Sequence, residues 1–228
     1  MANKTGVVIG IINNMPFIQT AFFESVLPML FRASQKHRLG MMNIKAFPVD
    51  FARNWAAKRF LESEAYTDAE WFVFLDIDQT FPVDTIDMLL TAAEENNAKV
   101  VSGTYFKRNF NSETVGWKYG AQNNIVEPVL DGTVQEVEII GMGCALIHRS
   151  VVEKVGYPWF QYGPLHESVE CLATEDIYFC QRCKELGIPI YIHTGIICGH
   201  IMTIQNTEQR VLVTSLSDGI AEGKVVPL

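Results

Sequence analysis

Apolar residues follow two rhythms that alternate along the N-terminal half of this chain. Short uninterrupted runs rich in β-branched residues read as strands buried on both faces. Longer stretches with apolar positions three or four apart read as helices. GVVIGIIN (6–13) is the first such strand. After Pro16 comes FIQTAFFESVLPMLFRASQKHR, where Phe17, Ala21, Val26, Leu30 and Ala33 approximate a helical stripe and Pro28 marks a kink or boundary. MNIKAFPV (42–49) predicts a second strand, DFARNWAAKRFLESEAY a second helix, and WFVFL (71–75) a third strand. VDTIDMLLTAAEENNA predicts a helix, with Asp84 and Asp87 where the macrodipole favours acids. AKVVSGTYF closes the series as a fourth strand. The order βαβαβαβ to residue 104 implies a mainly parallel sheet with right-handed crossovers, hence an α/β fold.

The rhythm then changes. Residues 105–140, with a hairpin-type Asp131–Gly132, predict short antiparallel strands. GMGCALIHRSVVEKVG predicts a strand feeding a helix, and ATEDIYFCQRCKELG a helix closed by Gly187. IPIYIHT is a last strand before GIICGH and an irregular tail. With no linker, low-complexity run or repeat, the expectation is one domain over residues 1–228.

Composition narrows the partners. A formal net charge of −8 opposes an electrostatic grip on nucleic acid or anionic membrane. The basic pairs Lys58–Arg59 and Lys107–Arg108 read as solvated faces. The five Cys, at 144, 171, 180, 183 and 198, make an odd count without framework spacing, which predicts reduced thiols. Without an evident signal segment or an apolar run of membrane-spanning length, a soluble cytoplasmic protein is expected.

Candidate chemistry begins with WFVFLDIDQTFP (71–82). Asp76 and Asp78 fall where a buried strand must surface, at the carboxyl edge where open parallel sheets bind ligands. Extended residues i and i+2 point the same way, so one acid can meet a divalent ion and the other a sugar hydroxyl. Hard oxygen ligands suit Mg²⁺ or Mn²⁺ carrying phosphates. In LATEDIYF, Thr174 is a candidate cap that places Glu175 and Asp176 in the first helical turn, where the helix N-terminus lowers their pKa values. Such a carboxylate suits general-base work. His200 in CGH is a candidate further metal ligand, favouring Mn²⁺. Arg53 opens FARNWAAK and suits phosphate or a nucleobase edge. Gly141 and Gly143 bracket Met142 where backbone can approach a ligand closely, or mark a bulge.

ARNWAAK, FLDIDQTFP, KVVSGTYFKR, GMGCALIHRSVVEKVG, TEDIYFCQRCKELGI and CGH, in this order, resemble the nucleotide-sugar glycosyltransferases of the GT-A fold, particularly the family-two group. The resemblance implies a nucleotide-binding half (1–104) and an acceptor-side half (105–228). It also implies a metal-dependent transfer from a nucleotide-diphosphate sugar, with UDP the expected nucleotide and Mn²⁺ or Mg²⁺ the cofactor. By the same resemblance, Asp76 contacts the ribose, while Asp78 and His200 hold the metal. Arg53 lies against the nucleotide, Met15 and Pro16 line the base pocket, and the loop Gly141–Met142–Gly143 approaches the donor sugar. Asp176 is the base of an inverting reaction, with Glu175 supporting it or binding acceptor. Gln79 stands where many such enzymes carry a third acid.

Two other readings remain open at this point. A nucleotidyltransferase also sets acids and Mg²⁺ beside a nucleotide, but IINNMPFIQT lacks a Gly-rich loop with a basic residue. A non-catalytic nucleotide-sugar-binding scaffold would keep the fold without turnover. The acceptor stays open among a saccharide, a protein side chain, a lipid-linked sugar and a modified nucleobase. The aromatic loop YPWFQYG is a candidate stacking surface for it.

Overall fold

A computed structural model describes residues 4–13, 18–46, 48–109, 113–164, 172–207, 210–214 and 225–227. Strand β1 (Gly6–Ile12) is followed by α1 (Thr20–Lys36), β2 (Arg38–Ile44), α2 (Val49–Glu62) and β3 (Trp71–Asp76). Next come the two-residue β4 (Gln79–Thr80), α3 (Thr85–Glu95) and β5 (Val100–Thr104). Four short strands follow: β6 (Gly116–Tyr119), β7 (Ile125–Val126), β8 (Val134–Val137) and β9 (Ile139–Ile140). Then come β10 (Cys144–His148), α4 (Arg149–Val155), β11 (Gly163–Pro164), β12 (Leu172–Ala173), α5 (Glu175–Glu185), β13 (Ile190–Ile197) and β14 (Gly199–His200). Strands β15 (Thr203–Thr207), β16 (Arg210–Thr214) and β17 (Val225–Pro227) form a separate three-stranded sheet.

The main sheet has seven strands in the order β2-β1-β3-β10-β5-β13-β8. Strands β2, β1, β3, β5 and β13 run one way, while β10 and β8 run against them. The uninterrupted apolar runs have the cause inferred from the sequence. In β3, Phe72 and Phe74 enter the core beneath α2, α4 and α5, while Val73 and Leu75 enter the one beneath α1 and α3. Both faces are covered, so no polar alternation survives.

Several expectations need correcting. The second strand starts at Arg38 rather than 42, because its first four residues are exposed or half-buried at the sheet edge and do not form a continuous apolar run. Asp131–Gly132 is not a hairpin apex: β7 pairs with β6, and β8 pairs with β13. Pro28 lies inside α1. The largest departure is β10, which inserts antiparallel between β3 and β5. Hydrophobic pattern records burial and not strand direction, so CALIH could not disclose this. The consequence is functional. Reversal brings the segment before β10, Gly141–Met142–Gly143, to the same rim as the carboxyl ends of β3, β5 and β13.

Candidate active site

At that rim the chain assembles two adjoining polar clusters. The first is organised by Arg53, which α2 delivers into the interior with only 2% of its surface exposed. Its guanidinium forks onto Asp76 at the end of β3, Nη1 donating to Oδ1 at 3.2 Å and Nη2 to Oδ2 at 3.0 Å. Its Nε donates to Glu175 Oε1 at 3.2 Å and lies 3.5 Å from Asp176 Oδ1. The guanidinium also sits 5.3 Å from the centroid of the Phe74 ring. One cation thus serves three carboxylates, and the Arg53 side chain faces acids rather than open space.

That imbalance sets the electrostatics. Burial, and then the charge of Glu175, push the Asp176 carboxyl well above the ordinary value despite Arg53. Burial likewise raises Asp76, Arg53 notwithstanding, with the charge of Asp78 adding to the shift. The expectation that the helix N-terminus lowers Asp176 is therefore wrong. A half-charge at a helix end is outweighed by desolvation and a like charge one residue away. Thr174 occupies the N-cap of α5, yet its side chain makes no capping bond. Asp176 Oδ2 accepts from the Met142 backbone N–H at 3.3 Å, whereas Oδ1 has no hydrogen bond.

The second cluster lies beyond the end of β3. Asp78 sits in the turn between β3 and β4, and β4 pairs with β14 so that Gln79 faces His200. The Ile201 N–H donates to the Asp78 carbonyl at 2.7 Å, locking the two segments together. Asp78 Oδ2 and His200 Nε2 stand 3.8 Å apart. His200 Nδ1 lies 2.7 Å from the Phe106 carbonyl, an acceptor only, so Nδ1 carries the proton and the Nε2 lone pair accepts from Arg108. Arg108 fills the gap, Nη2 donating to Asp78 Oδ2 at 2.5 Å and Nε to His200 Nε2 at 2.9 Å. Burial pushes the Asp78 carboxyl up, but the adjoining Arg108 guanidinium outweighs it and leaves the group below its ordinary value.

Tyr105 bridges the two clusters. Its hydroxyl accepts from the Gly143 N–H at 3.2 Å, and its ring meets His200 edge-on at 5.5 Å. The glycines are explained here: a Cβ on Gly141 would fall 1.9 Å from the Tyr105 hydroxyl, and one on Gly143 2.0 Å from Gln79 Nε2. Their close approach is to these two side chains. Met142 is fully buried.

The two carboxylates of the Asp-x-Asp pattern therefore point to different partners, Asp76 to Arg53 and Asp78 to Arg108 and His200. Met15 and Pro16 lie outside the described residues. Sequence reasoning missed Tyr105 and misread Arg108, whose side chain is only 10% exposed and not solvated. Their position just past the end of β5, on the rim that carries Asp76, was the available signal. In the aromatic loop, Trp159 and Phe160 are core residues, Phe160 stacking on Phe179 at 5.1 Å, while Tyr157 is exposed and the half-exposed Tyr162 hydrogen-bonds Glu175. The described cysteines Cys144, Cys180, Cys183 and Cys198 are buried free thiols.

Among the described residues no three His, Cys, Asp or Glu side chains form a ready set of metal ligands. Asp78 and His200 form a pair, and the fit of that pair to a divalent ion is good. Asp78 Oδ1 is buried without a hydrogen bond, the imidazole tautomer makes Nε2 an acceptor, and a guanidinium already occupies the cationic position. A two-ligand protein site completed by substrate phosphates and water is ordinary for Mg²⁺ and Mn²⁺. No helix among the described residues is long and apolar enough to cross a membrane.

Residues 45–156 match the family described as glycosyl transferase family 2. That span contains Arg53, Asp76, Asp78, Arg108 and the Gly141–Gly143 segment, and stops before α5 and His200. No curated protein matches the chain in sequence. Among solved structures, the crystal structure of A197 from STIV superposes with a TM-score of 0.56 at 20% identity, covering 96% of this chain and 97% of that one. The crystal structure of GalNAc-T7 with UDP, GalNAc and Mn²⁺ superposes with a TM-score of 0.52 at 10% identity, covering 87% of this chain and 44% of that one.

Proposed function

We propose that this chain, which has the GT-A fold and matches glycosyl transferase family 2 over residues 45–156, moves a sugar from a nucleoside-diphosphate donor to an acceptor hydroxyl, with a divalent metal and inversion at the anomeric carbon. The observation that carries the proposal is the junction of Asp78 with His200 through the β4–β14 pairing. A carboxylate and an imidazole from distant parts of the chain meet at this junction.

Asp78 and His200 would hold Mn²⁺ or Mg²⁺ at this junction. Such an ion supplies charge neutralisation to the departing diphosphate. UDP is the favoured nucleotide, by likeness to the fold neighbour solved with UDP and Mn²⁺. Asp76, held in a fixed orientation by the Arg53 fork, is suited to accept a hydrogen bond from a ribose hydroxyl. Glycine at 141 and 143 lets Tyr105 and Gln79 pack against the loop between the two clusters.

The base is Asp176. Its Oδ2 is tied to the Met142 N–H, while Oδ1, buried 3.5 Å from Arg53 Nε, makes no hydrogen bond. Its raised pKa suits the role, because a carboxylate with a weaker conjugate acid takes up a proton more readily. Glu175, bonded to Arg53, keeps the negative charge beside Asp176 that sustains this shift.

The test is donor turnover across UDP-, GDP-, CDP- and dTDP-sugars, in Mn²⁺ and in EDTA, with the anomeric configuration of the product read by NMR. Turnover of one donor that EDTA abolishes, with inverted product, is expected. A retained configuration would remove Asp176 from the base role. Turnover undiminished by EDTA would remove the metal.

A further inference from the structure

Arg108 has no task in the reading above, yet it occupies the centre of the site. Its guanidinium bonds both side chains that would hold a cation, Asp78 Oδ2 at 2.5 Å and His200 Nε2 at 2.9 Å. A positive group and a metal ion cannot share those two atoms. We propose that Arg108 is an internal stand-in for the divalent cation, filling the Asp78–His200 site while donor is absent. It is displaced when the metal binds, and then pairs with the donor diphosphate. The inference rests on the reading of Asp78 and His200 as the metal pair.

Three observations separate this from an ordinary structural ion pair. First, the bridge is incomplete: Arg108 Nη1 and Asp78 Oδ1 are both buried without hydrogen-bond partners. A structural Arg–carboxylate pair normally closes as a two-pronged fork on both oxygens, and this one uses a single prong. The unused prong of a side chain 10% exposed lies within the site. Second, Arg108 lies past the end of β5, outside any strand, so its side chain can move without breaking the sheet. Its neighbour Lys107 is engaged elsewhere, by Glu113 at 2.7 Å, so only Arg108 of this basic pair serves the site. Third, the imidazole tautomer is set by the Phe106 carbonyl and not by Arg108. Removal of the guanidinium therefore leaves His200 ready to ligate.

Displacement leaves a mobile guanidinium beside the incoming diphosphate, for whose oxygens its planar fork is matched. The same residue would thus weaken binding of the bare metal and strengthen binding of the metal-bound nucleotide. This favours the loaded donor over free Mn²⁺. A ligand whose competent site is only fractionally populated loses apparent affinity by that fraction.

Isothermal titration of two probes tests the idea: Mn²⁺ alone, and UDP at saturating Mn²⁺. The proteins are wild type, Arg108→Ala and Arg108→Gln, the last keeping side-chain bulk without charge. For a competent state populated at roughly 0.1–10%, both variants should bind Mn²⁺ about 10- to 1,000-fold more tightly. They should bind UDP about tenfold more weakly, through loss of one charge-assisted phosphate contact. The opposite signs are diagnostic, since mere structural damage would weaken both. Parallel weakening, or no change in either, in variants whose melting is cooperative would overturn the role of Arg108 and leave the metal pair standing. If no protein binds Mn²⁺ even with UDP present, the metal reading itself fails and the stand-in with it.

Discussion

Replacing Arg53 by Met probes the balance of charge on which the site is built. Met keeps most of the side-chain length and its packing over Phe74, but removes the only cation among Asp76, Glu175 and Asp176. With Arg53 2% exposed, the carboxylates lose a buried partner rather than a solvated one. Breaking a buried ion pair from one side costs about 3–5 kcal/mol. For a chain of this size that corresponds to a fall in Tm of about 6–20 °C. The pH dependence has a definite sign. Asp176 is already raised by burial and by Glu175, and losing Arg53 raises it further. A carboxyl whose folded-state pKa exceeds its unfolded value supports folding below the unfolded value and loses that support as pH rises through the folded one. The deficit of Arg53→Met should therefore be larger at about pH 8 than at about pH 5, where the cluster takes up protons. Thermal unfolding followed by circular dichroism at the two pH values measures both. A loss under about 1 kcal/mol at the higher pH, typical of an exposed pair, would refute the buried-clamp account. So would an equal loss at both pH values.

Further outcomes follow from the same geometry. Asp176→Asn replaces a carboxyl whose deprotonation burial opposes, so it should raise Tm at about pH 8 and leave it unchanged at about pH 4. The same change should lower transfer about 10²- to 10⁴-fold, read as kcat with saturating donor. Gly141→Ala places a Cβ 1.9 Å from the Tyr105 hydroxyl, and the buried tyrosine has no room to yield. Urea unfolding should show a loss of about 1–3 kcal/mol, and an unchanged midpoint would mean that the loop before β10 packs differently. Phe74→Ala removes a fully buried ring that meets Phe72, Phe160 and the Arg53 guanidinium. It should cost about 3–5 kcal/mol in the same assay.

The helices, the buried strands and the acidic end of β3 were legible in the sequence because each leaves a local mark. WFVFL is apolar throughout since both sheet faces are covered, and the acids begin where that cover ends. Asp78 and His200 could be named as partners only through resemblance, since their meeting depends on β4 pairing with β14. Tertiary structure alone decided that β10 runs backwards through the middle of the sheet. It also decided that one arginine sits among three acids, that Asp176 is thereby raised rather than lowered, and that Arg108 turns inward. The division has a physical cause. Burial and helical period act on neighbouring residues and leave their trace in order, whereas strand direction and the pKa of a buried group depend on charges brought close by folding from far along the chain.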